Sequence, residues 1–238
     1  MLASLTSVLA WAEERGCAAA AFDTPNLELL LAAIGAAEAR DEPVIIQHAQ
    51  LHEHETSIDV IGPIMVMRAE AARVPVCVML AHDYGADVEA EIGFTTGHEG
   101  LEHADDEREN VYTDPDEAAR FVADTGIDAL AASVGTVHGF YQAEPKLDFH
   151  LIEELRIRCG VPLVMHGGSG LSREDTRAAI AAGIRKINYF SYMSNAGVRA
   201  VEALIADAHP KYFHALANAA TEAMQADAEA AMDMFSMR

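Results

Sequence analysis

Short apolar, β-branched runs alternate along the chain with longer stretches whose apolar residues recur at helical spacing. Runs at 18–22, 44–48, 76–80, 87–92, 129–134, 162–166 and 186–190 predict strands. Segments 26–40, 58–73, 114–125, 148–159, 172–182 and 192–208 predict helices. Two of these open on strong start signals, Thr113-Asp-Pro-Asp-Glu and Ser172-Arg-Glu-Asp. In each, a side-chain oxygen can cap free N–H groups and the first-turn acids suit the helix dipole. Such alternation packs as a parallel sheet covered by helices, which places the chain in the α/β class as a (β/α)8 barrel. Residues 210–238 read as an Ala- and Met-rich helical extension on one domain spanning 1–238.

The rhythm breaks once. Between the strand ending at Leu80 and the next near Asp87 stand only Ala81-His-Asp-Tyr-Gly-Ala. That is too short for the crossover that parallel strands need. At about 30 residues per barrel unit, one strand and two helices, roughly 45 residues, are missing there, so either a stretch of the molecule is absent from this sequence or the barrel is a cut-down one.

Composition narrows the partners. The 238 residues carry 38 acidic and 16 basic side chains, a formal net charge of −22, so phosphate backbones and anionic membrane surfaces are disfavoured. A 51% apolar content supplies a large core. Cys17, Cys77 and Cys159 are odd in number and widely spaced, which argues against a disulfide framework and fits a reducing cytoplasm. No uncharged apolar run approaches the roughly 18 residues of a membrane span.

In a βα barrel, reactive groups sit at the C-terminal ends of the strands. Glu91, His138, His166 and Asn188 fall there. Two imidazoles and a carboxylate at one rim suit an open catalytic zinc site, although a lone strand-end histidine is more often a hydrogen-bonded structural group than a ligand and Glu91 alone reads as a rim charge. Gly167-Gly168-Ser169-Gly170 follows His166 and precedes a capped helix, and Ser191 follows the last strand. Barrels commonly bind phosphate at these two loops.

The stretches Ala21-Phe-Asp-Thr-Pro-Asn-Leu-Glu28, Pro43-Val-Ile-Ile-Gln47, Val88-Glu-Ala-Glu-Ile-Gly93, Tyr112-Thr-Asp-Pro115, Gly135-Thr-Val-His-Gly139, Pro145-Lys-Leu-Asp-Phe149, His166-Gly-Gly-Ser-Gly170 and Lys186-Ile-Asn188 together resemble class II, zinc-dependent ketose-bisphosphate aldolases of the fructose- and tagatose-bisphosphate type. The resemblance implies reversible aldol cleavage of a phosphorylated ketose through a dihydroxyacetone phosphate enediolate. It implies Zn2+ held by Glu91, His138 and His166, and substrate phosphate or triose contacts from Gly139, Gly167, Ser169, Asn188 and Ser191. Glu99 matches a family acid that moves the enediolate proton, and a solvated loop carboxylate is the equal alternative. A homodimer or homotetramer is expected, as the apolar tail suits subunit association.

The departures are as specific. The family's His-Leu-Asp-His-Gly after the third strand, with a zinc histidine and the catalytic aspartate, has no counterpart: His82 and Asp83 align with a later helix end. Gln142 stands where some relatives carry Lys, and Asn188 is followed by Tyr-Phe-Ser-Tyr in place of small polar residues. His48, His52 and His54 form an unusual tract that reads as a substrate-recognition loop, a second metal tract or plain surface. Two alternatives to the aldolase therefore stand: a degenerate barrel that binds sugar phosphates, or an aldolase for a different or unphosphorylated ketose.

Overall fold

In the computed structural model, residues 1–80, 87–93, 112–141 and 144–238 are described. Eight parallel strands form one curled sheet: β1 (Leu2–Ala3), β2 (Ala19–Asp23), β3 (Val44–His48), β4 (Val76–Leu80), β5 (Glu89–Ile92), β6 (Ala129–Ala132), β7 (Leu163–Met165) and β8 (Ile184–Tyr189). Helices α1 (Leu5–Arg15), α2 (Leu27–Arg40), α3 (Ile58–Ala71), α4 (Pro115–Thr125), α5 (Phe149–Cys159), α6 (Arg173–Ala182), α7 (Ser191–Ala208) and α8 (Phe213–Phe235) cover it. The strand order, β1-β4-β3-β2-β8-β7-β6-β5, is that of a TIM-barrel-like fold with β1 and β5 as its two edges.

Period-two alternation sorts the side chains. Ala18, Ala20, Phe22, Val44, Ile46 and Val76 point outward into the layer shared with the helices. Ala19, Ala21, Ile45, Cys77, Ala129, Ala131 and Val164 point inward, where Leu5, Val8, Leu9 and Ala12 of α1 pack on them. Helix α1 thus plugs the barrel from the end opposite the strand C-termini. Neither α1 nor β1 is foreseen by the sequence reading, because two residues are too few for a strand pattern.

Beside β4, where the next barrel strand was expected, β1 lies in parallel register, Leu2 with Val76 and Ala3 with Cys77. Just after it, Thr6 donates from N and Oγ1 to Asp87 Oδ2 at 2.7 and 2.9 Å, bringing the two sheet edges together at the plugged end. The connection through 81–86, with His82 and Asp83, lies outside the described residues.

Capping follows the sequence signals. Asn26, Asp114, Asp148 and Ser172 each accept from the backbone N–H three residues on, at 3.0, 2.8, 2.9 and 3.0 Å. The C-terminal helix α8 packs against α2 and α7, with Phe235 fully buried. Arg40 of α2 ties to it through Glu229 at 2.6 Å and Asp233 at 2.7 Å. Among the described residues no helix is long and apolar enough to cross a membrane.

Candidate active site

Alternation within β5 and β8 sends Glu89 with Glu91, and Lys186 with Asn188, to the inner face. Lys186 has no exposed side-chain surface; its Nζ donates to Glu89 Oε1 at 2.9 Å and to Asn188 Oδ1 at 2.8 Å. Burial works against the charge on Glu89, but the adjacent Lys186 ammonium and the hydrogen bond to His166 pull its pKa down to about 2.

His166, just past β7, stands between two carboxylates: Nε2 lies 3.4 Å from Glu89 Oε1, and Nδ1 lies 3.5 Å from Glu91 Oε2. Burial disfavours its charge, yet hydrogen bonds to Glu89 and Glu91 raise its pKa to about 9. The His138 ring centroid lies 5.6 Å from that of His166. Of the three residues expected as metal ligands, Glu91 and His138 each lie beside His166 at the barrel mouth.

Their chemistry fits a divalent cation. Glu89 holds the Nε2 side of His166 as an outer partner, and the Nδ1 side faces Glu91. Two imidazoles and a carboxylate are donors of the type that catalytic zinc sites use. Among the described residues, no group of three His, Cys, Asp or Glu side chains is placed so that it could hold a metal ion.

The loop after β7 is fixed on both sides. Gly167 has φ +67°, and a Cβ there would lie 2.1 Å from Val137 O, so the glycine lets this loop touch the one bearing His138. Tyr141 donates from its hydroxyl to Gly167 O at 2.8 Å, and Gly168 N donates to Asn188 O at 3.0 Å. Ser169 Oγ accepts from Phe190 N at 3.1 Å. The first N–H groups of α7 receive no side-chain cap, and Ser191 Oγ is buried with no hydrogen-bond partner among the described residues. Free amides and an unsatisfied hydroxyl beside a glycine loop can accept an anion. Gly139, with φ +87°, directly follows His138.

Glu99, His98, His103 and Gln142 lie outside the described residues. The buried members Glu89 and Lys186 were missed by the sequence reading. The signal was present: Glu89-Ala-Glu91 and Lys186-Ile-Asn188 carry their polar residues two apart within strands. Within the His48, His52, His54 tract, His48 and His52 are buried, while His54 is exposed and bonds Leu51 O at 2.9 Å.

Comparison with known proteins identifies relatives of the whole chain. The family model described as fructose-bisphosphate aldolase class-II matches residues 3–83 and 77–238. Uncharacterized protein YdjI of Escherichia coli K12 is 34% identical over 229 residues, 78% of this chain and 81% of that protein. The crystal structure of the YdjI aldolase superposes with a TM-score of 0.84 at 30% identity, covering 99% of this chain and 97% of that one. A Coccidioides immitis protein provisionally assigned as a fructose-1,6-biphosphate aldolase gives 0.87 at 26%, covering 97% and 95%. Fructose-bisphosphate aldolase of Campylobacter jejuni, at 19% identity and a TM-score of 0.77 over 98% and 95% of the chains, shares the fold.

Proposed function

Because the chain belongs to the class II fructose-bisphosphate aldolase family, we propose that it makes and breaks a carbon–carbon bond in a phosphorylated ketose, with zinc held by Glu91, His138 and His166. The observation that supports this reading is the placement of Glu91 and His138 beside His166, next to a loop able to receive a phosphate. A zinc ion bound there supplies Lewis-acid polarisation of the ketose carbonyl.

The chain's own residues do the rest. Lys186 neutralises Glu89, and Glu89 orients His166. The backbone around Gly167 and Gly168, with Ser169, Ser191 and the start of α7, receives the phosphate and fixes the triose end. Asn188, placed by Lys186, and Gly139 line the space between. Glu99 is proposed as the group that moves the proton at the enediolate carbon. The exposed Val198, Ile205, Tyr212 and Phe213 on α7 and near α8 support self-association.

A second reading, a barrel that binds sugar phosphates without turnover, draws support from the lack of a ready three-ligand cluster among the described residues. One experiment separates them. Zinc-loaded protein is assayed for triose release from fructose 1,6-bisphosphate and tagatose 1,6-bisphosphate and for proton exchange on dihydroxyacetone phosphate, with and without chelator. Chelator-sensitive exchange supports the aldolase; phosphate-ester binding with neither exchange nor cleavage refutes it.

A further inference from the structure

The strand ends beside the proposed phosphate loop hold a second polar cluster with no part in the scheme above. Asp23, at the end of β2, is buried and accepts from Gln47 Nε2 at 3.2 Å. The His48 and His52 side chains are each 1% exposed, and their rings lie 6.5 Å apart. The His52 ring sits 5.0 Å from that of Phe190, whose N–H is held by Ser169, so this cluster adjoins the loop after β7.

Its hydrogen bonding is incomplete. Neither ring nitrogen of His48, nor Nε2 of His52, has a hydrogen bond to a described residue. Glu53 lies 3.4 Å from His48 Nε2, within ion-pair reach but without a hydrogen bond, and Glu55 lies 2.9 Å from His52 Nδ1. Buried polar atoms left unpaired cost stability, and three in one place mark a site completed by something else. The charges nearby say what kind. Asp23, Glu53 and Glu55 bring three carboxylates, and Lys186, whose charge reaches Asp23, is already engaged by Glu89 and Asn188. A phosphate dianion placed here would face those carboxylates. A hydroxyl both donates and accepts, so it can pair with an imidazole nitrogen whichever tautomer is present.

Resting on the aldolase reading, we propose that His48, His52 and Asp23 form the subsite for the aldehyde-derived end of the substrate, and that this end is unphosphorylated and carries hydroxyl groups. The phosphate of the ketose is then on the triose half alone.

The test uses zinc-loaded full-length protein with dihydroxyacetone phosphate as donor and D-glyceraldehyde, D-glyceraldehyde 3-phosphate or propionaldehyde as acceptor. Binding of the same three aldehydes is followed by calorimetry. D-glyceraldehyde is expected to exceed its 3-phosphate at least about tenfold in kcat/KM, roughly one hydrogen bond's worth. His52→Leu and His48→Leu should each lower kcat/KM and affinity for D-glyceraldehyde by about tenfold or more. Both should leave propionaldehyde and proton exchange on the donor unchanged. His48→Gln, which keeps a donor and an acceptor, should recover part of the loss. If one leucine variant fails to fold, the other carries the comparison. Preference for the 3-phosphate, equal loss on propionaldehyde, or a second zinc per chain lost in His52→Leu overturns the proposal. Absence of donor exchange in the unmodified protein would overturn the aldolase reading instead, and calorimetry would still decide the subsite.

Discussion

Glu89 Oε2 and Lys186 Nζ lie 2.8 Å apart across the barrel interior, joining β5 to β8 although two other strands stand between them. The pair braces the curl of the sheet and orients His166 at the same time.

Removing one partner should cost far more than removing both. Lys186→Met leaves Glu89 buried and uncompensated, an expected loss of about 3–5 kcal/mol. Lys186→Met combined with Glu89→Gln should recover most of it. Urea denaturation of both singles and the double closes the cycle, and additive losses would rule out the brace.

Metal affinity should follow the site's layers. His166→Ala is expected to bring bound zinc from about one per chain to near zero and to abolish turnover. Glu89→Gln should weaken zinc by about 10–100-fold, since it removes only the group that orients the imidazole. Zinc analysis after dialysis against graded chelator measures both; unchanged retention in His166→Ala would exclude the proposed ligand set.

Two glycines with nearly the same backbone angle should respond differently. Gly167 and Gly16 have φ +67° and +61°, but a Cβ at Gly167 meets Val137 O at 2.1 Å, whereas nothing lies within 4 Å of one at Gly16. Gly16→Ala is expected to cost about 1 kcal/mol from backbone strain alone. Gly167→Ala should cost at least about 2–3 kcal/mol and raise KM for the ketose phosphate, because strain and a backbone clash add. Equal shifts in thermal midpoint would contradict the close approach of the two loops.

Stability should depend on pH through Asp227. Burial raises its pKa, and the hydrogen bond that Tyr189 donates at 2.9 Å offsets this only in part. The folded chain therefore holds the proton more tightly than the unfolded one. That contribution is complete below the ordinary carboxylate range and is lost as pH rises through the raised value. Asp227→Asn keeps an acceptor for Tyr189 and removes the titration. Its thermal midpoint should gain on the unmodified protein as pH rises from about 4 to 7. A difference that stays flat across that range would show the carboxyl to be unperturbed.

Much of this was readable from the chain. Strands at 44–48 and 76–80 match the structure residue for residue, because short apolar runs of this length bounded by breakers have few alternatives. Glu91, His138 and His166 came from asking which polar residues end a strand, and the first two each lie beside His166. Glu89 and Lys186 escaped because charged residues in mid-strand look like solvent-facing positions until a partner across the barrel is known. Burial of His48 and His52 depends on a 3-10 turn at Gln50–His52 and on Phe190, more than 130 residues away in sequence, a relation that no local pattern encodes.

The strand order has one more consequence. With β1 and β5 as edges, the sheet is a strip bent round on itself, fastened at the plugged end by Thr6 and Asp87. A closed hoop exchanges its amide hydrogens only when it ruptures, but a strip can unzip from its ends inward. Amides of β2 and β8, flanked by strands on both sides, set the slowest exchange, and β5 opens ahead of them. Glu89 and Glu91 ride on that strand, so the carboxylates of the site belong to one of the two edges from which the barrel is expected to open.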